Sequence, residues 1–267
     1  MLDKLEPPMR DPDGPIRIPI LDKMKDRGVI AFGKVESGTV EMGSKLTLVP
    51  NDYYTQVLNV YNSADQAVRY AKPGENVKLR LRLIEDENLI NKGDVLCART
   101  SLMPHSELFE AELDILQLIE HKPIISSGYQ CVIHIHTVSD ECHVAKILTS
   151  FERNDKGDII EKKAPRFVKS WTKTIVRIQT RIPICLEKHE TNVQLGRFTL
   201  RDEGRTIAVG KVLRYKPAKK KEEEEVKAVE EVKKEVDEEK GEQLEGRRRV
   251  EDGPGAEDAP PEETGVK

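Results

Sequence analysis

Alternation of apolar and polar residues dominates the chain from Ile16 to about residue 216, and it predicts β-strands throughout that range. In the clearest case, apolar side chains alternate with basic ones: Val77, Leu79, Leu81 and Leu83 against Lys78, Arg80 and Arg82. Successive side chains of a strand point to opposite faces of the sheet, so this segment predicts one buried face, with all four apolar residues inward, and one solvated face.

The turn signals between these segments are closely spaced, and no long helical stripe interrupts them. Gly38, Gly43 and the pair Pro73-Gly74 mark turns in the first half of the chain. Many short strands joined by such turns are typical of closed antiparallel barrels. The sequence therefore predicts an all-β protein with two consecutive antiparallel β-barrels, the first over residues 15–100 and the second over 108–216.

The segments outside the two predicted barrels differ in composition. Residues 1–14 are rich in proline and acid and show no period, and "SLMPHSE" at 101–107 is expected to be a linker. The whole chain carries 44 basic and 48 acidic residues, of which residues 217–267 hold 11 and 18, leaving 33 and 30 before them. We expect a slightly basic body followed by a disordered acidic C-terminal tail that contributes little to stability.

Several classes of protein are disfavoured by what the sequence lacks. It has no apolar run of the ~18–20 residues that cross a membrane, no apolar signal core and no CxxC pair among four cysteines. A cytoplasmic protein with reduced, mostly buried thiols is expected. No GxxxxGK[ST], GxSxG or HExxH motif occurs, so we expect no catalytic residues and no bound cofactor in this chain.

One histidine pair raises the question of a metal site. His134 and His136 are two residues apart on a predicted strand, where they would share a face. No spacing elsewhere supplies the further ligands that a metal needs. The interpretation favoured here is therefore a strand face whose histidines are satisfied by hydrogen bonds, without a metal.

The segment at 156–173 is basic, is expected to be irregular, and is a candidate for RNA contact. It places one tryptophan among several cations: Lys162, Lys163, Arg166, Lys169, Trp171 and Lys173. Aromatic rings beside clustered positive charge can bind single-stranded nucleic acid. A solvated loop with one anchoring ring would give the same composition, so the pattern leaves both interpretations open.

The segment "LGRFTLRDEGRTIAVGKVLRY" at 195–215 predicts a β-hairpin that turns at Asp202-Glu203-Gly204, with glycine at a positive φ. Phe198 and Leu200 would face the core, which leaves Arg197, Thr199 and Arg201 on the other face. Arginine offers a rigid fork of donors and is enriched in interfaces. Periodicity alone does not choose between a solvated edge and a docking surface.

Three long blocks carry a resemblance to a known family: "ILDKMKDRGVIAFGKVESGTVEMG", "GYQCVIHIHTVSDECHVAKIL" and "LGRFTLRDEGRTIAVGKV". Over about residues 1–216 the chain resembles the C-terminal half of the eukaryotic peptide-chain release factor GTP-binding subunit. In that family a GTP-binding domain, which uses GTP and magnesium, precedes two β-barrels. The resemblance implies that residues 1–14 are the linker from such a domain and that this chain itself is not an enzyme.

The resemblance also implies partners in translation termination. The family's second barrel holds the stop-codon-reading class-1 release factor, and its first barrel faces the ribosome. Carried over to this sequence, the partner-binding block is Gly196, Arg197, Phe198, Thr199, Leu200, Arg201, Asp202, Glu203 and Arg205. The alternatives are a fragment of a ribosome-rescue GTPase or of an aminoacyl-tRNA-delivering elongation factor, or a stand-alone decoy module.

Overall fold

The computed structural model describes residues 10–26, 28–84, 86–153 and 159–216. The expectations for residues 1–9 and for the acidic tail at 217–267 lie outside the described residues. Within them the chain is built of β-strands with one 3-10 turn at Glu87–Leu89. None of its described helical segments is long and apolar enough to cross a membrane. The prediction of an all-β protein with two antiparallel barrels is confirmed.

The first barrel closes six strands in the order β4-β9-β1-β2-β8-β5, because β4 also pairs with β5. Two short strands, β3 and β7, pair separately, and β6 extends β5. The bounds are β1 Arg17–Lys25, β2 Val29–Lys34, β3 Val40–Glu41, β4 Lys45–Val49, β5 Tyr53–Tyr61, β6 Ala67–Val68, β7 Tyr70–Ala71, β8 Asn76–Arg82 and β9 Val95–Ala98.

The second barrel closes six strands in the order β12-β17-β18-β10-β16-β13, because β12 also pairs with β13. Strand β14 extends β13, and β11 pairs with β15 in a separate two-stranded sheet. The bounds are β10 His105–Ile115, β11 Ile124–Ser126, β12 Gln130–Ile135, β13 Val138–Arg153, β14 Ile159–Lys163, β15 Phe167–Lys169, β16 Lys173–Cys185, β17 Arg197–Asp202 and β18 Arg205–Tyr215.

Each barrel encloses its own apolar core, and the alternating segments supply it as the pattern predicts. Val77, Leu79 and Leu81 are buried in the first barrel, and Phe109 begins the buried face of β10 in the second. Leu83 is a correction, since it is 70% exposed instead of buried. Strand β8 ends at Arg82, and Leu83 adopts a φ of 73°, which turns its side chain outward and gives the core position to Ile84.

A third apolar cluster lies where the two barrels meet. It joins residues of the first barrel and the connecting segment to residues of the second: Val49, Val95, Cys97, Met103, Cys185 and Leu195. Beside it, Arg17 Nε lies 2.8 Å from Glu187 Oε1, and both side chains are almost fully buried. Arg17 also donates to the Ser101 carbonyl at 2.8 Å. The barrels are therefore joined by an apolar contact and a buried ion pair.

The basic segment at 156–173 is more ordered than its composition suggested. It contains two short strands, β14 and β15, so the expectation of an irregular segment is wrong for the residues that the structure describes. Among the described residues, strand β14 pairs with the end of the long strand β13 and with no other strand, and every residue of β14 is exposed. Local pairing with neighbouring strands organises this segment although it buries little apolar surface.

Candidate functional site

The hairpin of β17 and β18 has the geometry that its sequence predicts. The two strands are joined by Glu203 and Gly204, whose φ values are 47° and 78°. Both lie in the left-handed region, which favours glycine and suits a two-residue hairpin loop. In the barrel wall, β17 lies between β12 and β18, so its outward side chains occupy the middle of a continuous surface.

The inward side chains of β17 are structural. Phe198 and Leu200 are 3% and 1% exposed, and the ring of Phe198 packs edge-on against Phe109 with centroids 5.7 Å apart. A Cβ on Gly210, which faces Phe198 across the hairpin, would lie 2.3 Å from that ring. Gly196 is similarly confined, since a Cβ there would lie 2.5 Å from the backbone of His189.

The outward side chains of β17 and their neighbours on β12 and β18 form one surface, which we call the hairpin face. Its members are Arg197, Thr199, Arg201, Val132, His134, Val209 and Lys211. Arg197 lies beside Lys211 of β18, and Thr199 lies beside Val209 of the same strand. On the other side, Thr199 and Arg201 lie beside His134 and Val132 of β12. The hairpin face thus combines three cations, Arg197, Arg201 and Lys211, with small apolar or weakly polar side chains between them.

Both arginines of the hairpin face retain capacity for a negatively charged ligand. Arg197 donates to Gln194 Oε1 at 2.6 Å, and Arg201 donates to the Gly204 carbonyl at 2.6 Å. Neither arginine forms an ion pair with another described residue. Arg201 Nε is buried and has no acceptor among the described residues, so a ligand would have to bind the other guanidinium nitrogens. The pKa of His134 is lowered, mainly by burial and to a smaller extent by the positive charge of Arg201, and this favours the neutral form of its ring.

The acidic turn of the hairpin is held by side chains that the sequence analysis missed. Asp202 Oδ2 accepts hydrogen bonds from the Tyr129 hydroxyl at 2.7 Å and from Lys122 Nζ at 3.0 Å. Glu203 Oε1 lies 3.0 Å from His121 Nε2. These partners precede Asp202 and Glu203 by more than 70 residues, so no local pattern connects them.

Charge and hydrogen bonding keep Asp202 ionised. Burial raises the pKa of this carboxyl, but the hydrogen bonds from Tyr129 and Lys122 outweigh it, and the pKa is lowered overall. Arg205 is exposed at the start of β18. With Ile119, Glu120, His121 and Glu203 it lines a shallow pocket of about 380 Å³ beside the turn.

The residues proposed for RNA contact are all exposed and lie between β14 and the first residue of β16. Lys162 Nζ lies 2.5 Å from Glu152 Oε2, and Lys173 Nζ lies 2.9 Å from Glu112 Oε1. Lys163, Arg166 and Lys169 form no ion pair with any residue that the structure describes. The side chain of Trp171 is 74% exposed.

The two histidines do not share a face, which corrects the expectation drawn from their spacing. His134 lies on β12, but His136 follows the end of that strand with a φ of 39°. Its Nε2 lies 2.9 Å from the Cys185 carbonyl oxygen, to which it donates. Burial lowers the pKa of His136 to about 4 despite that hydrogen bond. Among the described residues no three metal-ligating side chains converge.

Comparison with known protein families divides the chain where the two barrels lie. Residues 28–97 match the family described as elongation factor Tu domain 2, and residues 109–213 match the family described as GTP-eEF1A C-terminal domain-like. These matches fall within the first and the second barrel.

Comparison with curated proteins gives matches over a longer range. The chain is 38% identical over 213 residues to a protein of Kluyveromyces lactis named eukaryotic peptide chain release factor GTP-binding subunit, covering 80% of this chain and 30% of that protein. A protein of the same name from Ogataea pini is 39% identical over 211 residues, covering 79% and 28%. The chain therefore spans about 30% of the length of these relatives.

Among solved structures, the fold is similar to that of sup35 complexed with GDP, with a TM-score of 0.68 and 34% identity. The match covers 77% of this chain and 48% of that one. A structure of sup35 with GMPPNP matches equally well.

Proposed function

We propose that this chain is a binding module of translation termination. The premise is that it is homologous to the C-terminal region of eukaryotic peptide chain release factor GTP-binding subunits. In this proposal the second barrel docks the class-1 release factor, which reads the stop codon. The first barrel contacts the ribosome, and the protein works in the cytoplasm.

The observation that carries the docking proposal is the pair Arg197 and Arg201 on the hairpin face. The two lie four residues apart on the outer side of β17 and form no ion pair with a described residue. A guanidinium matches the planar geometry of a carboxylate and can bind it through two parallel hydrogen bonds. The partner surface that fits the hairpin face is therefore acidic and extended, with small apolar side chains opposite Val132 and Val209.

The other residues of the predicted block act indirectly in this proposal. Phe198 and Leu200 fix the strand by packing in the core, and Gly196 permits close approach of the backbone of His189. Asp202 is engaged by Tyr129 and Lys122. These contacts hold the hairpin in one conformation before the partner arrives, which reduces the entropy lost on binding.

The names of the relatives attribute GTP binding to those longer proteins. This chain contains no glycine-rich phosphate loop of the GxxxxGK[ST] type in its 267 residues. We propose that the chain as given binds partners without hydrolysing GTP, and that nucleotide chemistry belongs to the part of the relatives that this sequence does not match.

Titration calorimetry against the purified class-1 factor tests the docking proposal. Arg201→Ala should weaken binding by ~1–3 kcal/mol, because a partner carboxylate is left buried and unpaired. Arg69→Ala is the matched control, since it removes an exposed arginine of the first barrel. Equal affinity of Arg201→Ala and wild type would contradict docking through the hairpin face.

A parallel titration distinguishes the alternatives within this group of proteins. Binding to the ribosome-rescue partner, with none to the class-1 factor, would assign the chain to the rescue GTPases. Binding to neither would favour an aminoacyl-tRNA-delivering factor, and saturable binding of aminoacyl-tRNA would then identify it.

A further inference from the structure

Four large apolar side chains are exposed close together in the chain around β14 and β15. Ile159 is 67% exposed, Ile160 38%, Phe167 47% and Trp171 74%. The chain has a single tryptophan and aromatic residues make up only 4% of it. Exposed apolar surface next to basic residues marks interaction sites, and neither barrel core uses these four side chains.

The small sheet of β11 and β15 determines which of these side chains point outward. Val168 and Ile125 lie opposite each other and are fully buried. The alternation of a strand then places Phe167 and Lys169 together on the outer face, where they lie opposite Ser126 and Ile124. An aromatic ring and a cation are thus held side by side on a rigid support.

The backbone at Trp171 holds its ring in solvent. Trp171 has a φ of 62°, a left-handed conformation that is rare for a bulky residue. Its N–H donates to the Ile115 carbonyl at 3.1 Å, and the next residue, Thr172, is buried. The main chain is therefore fixed by β10 while the largest side chain of the segment is directed away from the core. Such backbone strain concentrates at functional positions.

Basic residues outnumber acidic ones in the segment that carries the two exposed rings, Phe167 and Trp171. Residues 159–173 contain five basic residues and one acidic residue, Glu161. Two of the five are neutralised, Lys162 by Glu152 and Lys173 by Glu112. The other three, Lys163, Arg166 and Lys169, form no ion pair with any described residue and are exposed. We call these three cations with Phe167 and Trp171 the aromatic-basic patch.

We propose that the aromatic-basic patch binds single-stranded RNA. Exposed rings stack on unpaired bases of any sequence, and neighbouring cations neutralise the phosphates that link them. A protein partner fits less well, because lysine is depleted in protein–protein interfaces. The patch shares no residue with the hairpin face, so substitutions can test the two surfaces separately.

Trp171 supplies the measurement, because it is the only tryptophan and reports from the patch itself. The full chain is titrated with a short uridine oligoribonucleotide while its intrinsic fluorescence is followed. Stacking of a base should quench Trp171 saturably. If three phosphates are neutralised, the logarithm of affinity should fall with the logarithm of salt concentration with a slope of about −2.

Three variants test the contributions of the ring and of the cations separately. Binding of a labelled oligonucleotide is measured by fluorescence anisotropy. Trp171→Ala should weaken binding about tenfold or more, while Trp171→Phe retains a ring and most of the affinity. Lys163→Gln/Lys169→Gln should reduce the magnitude of the salt slope by about 1.4. The matched control Lys45→Gln/Lys188→Gln removes two exposed lysines elsewhere and should leave both affinity and slope unchanged.

Two results would overturn the proposal. One is RNA binding without quenching of Trp171 and with equal losses in the patch and control variants, which places the RNA elsewhere. The other is that polyglutamate binds as tightly as the oligonucleotide and displaces it from the patch. That result would make the patch a site for acidic protein segments.

Discussion

Arg197 and Phe198 are adjacent in the chain and have opposite environments, because the pleat of β17 directs them to opposite sides of the barrel wall. Arg197 is exposed, and Phe198 is buried against Phe109 and Gly210. Variants at the two positions should therefore affect different quantities. Loss of Arg197 should reduce binding, whereas loss of Phe198 should first reduce the free energy of unfolding.

Removing the Phe198 ring tests this division directly. Phe198→Ala should lower the free energy of unfolding by ~3–5 kcal/mol, because it leaves a cavity in the second core. Gly210→Ala should cost ~1–3 kcal/mol through the opposite defect, since the added methyl group overlaps the ring. Chemical denaturation measures both. Unchanged stability in Phe198→Ala would mean that the ring does not fill the core.

Asp94 gives the stability of the protein a pH dependence. Burial raises its pKa to about 6, although the Asn91 N–H and Lys23 oppose this. Since its pKa in the unfolded chain is about 3.9, folding favours the protonated form and stability falls as the pH rises from about 4 to about 6. Asp94→Asn retains an oxygen that can accept the hydrogen bond from the Asn91 N–H. This variant should remove up to about 3 kcal/mol of the decline in the free energy of unfolding.

Denaturation of wild type and Asp94→Asn across that pH range measures the difference. Parallel curves for the two proteins would show that Asp94 titrates alike in the folded and unfolded chains.

At the scale of elements, the turn of the β17–β18 hairpin depends on a loop that precedes β12. Lys122 and Tyr129 bind Asp202, and His121 lies beside Glu203. The hairpin is therefore supported at its tip as well as along its strands. A docking element that is rigid before binding loses less conformational entropy when the partner arrives.

Tyr129→Phe tests this support without altering the hairpin face. It removes one hydrogen bond to Asp202 and should cost ~1 kcal/mol of stability. Affinity for the class-1 factor should fall by a few-fold, mainly through faster dissociation. Surface plasmon resonance separates the two rates. Loss of affinity greater than that of Arg201→Ala would show instead that Tyr129 contacts the partner.

The alternation of apolar and polar residues predicts the strands and the hairpin, because alternate residues of a strand lie on opposite faces of the sheet. The alternation predicts that Phe198 and Leu200 face inward, and both are buried; the glycine of the turn has the expected positive φ. The pattern was wrong at Leu83 because alternation does not show where a strand ends. It could not connect Asp202 with Tyr129, whose contact depends on how distant strands pair around the barrel.

At the scale of the whole molecule, the buried pair Arg17–Glu187 and the apolar cluster around Met103 and Cys185 join the barrels. Breaking a buried ion pair leaves one uncompensated charge, which is more costly than losing both partners. The junction should therefore respond differently to single and double substitution.

Arg17→Leu should lower the free energy of unfolding by ~3–5 kcal/mol, because Glu187 stays buried without its partner. Arg17→Leu/Glu187→Leu should recover much of that loss. Denaturation monitored by circular dichroism measures both. Glu187→Leu completes the comparison, and a double variant whose loss of stability equals the sum of the losses in Arg17→Leu and Glu187→Leu would mean that the two residues act independently.

The affinity of the double variant Arg197→Glu/Arg201→Glu for the class-1 release factor tests the central claim most directly. Reversing both charges on the hairpin face should weaken binding by at least 100-fold, since two attractive contacts become repulsive, at ~1.4 kcal/mol for each factor of ten. The double variant should remain folded, because neither side chain belongs to the apolar core, although it loses the hydrogen bond from Arg201 to the Gly204 carbonyl. Binding of the folded double variant with wild-type affinity would contradict docking through this face.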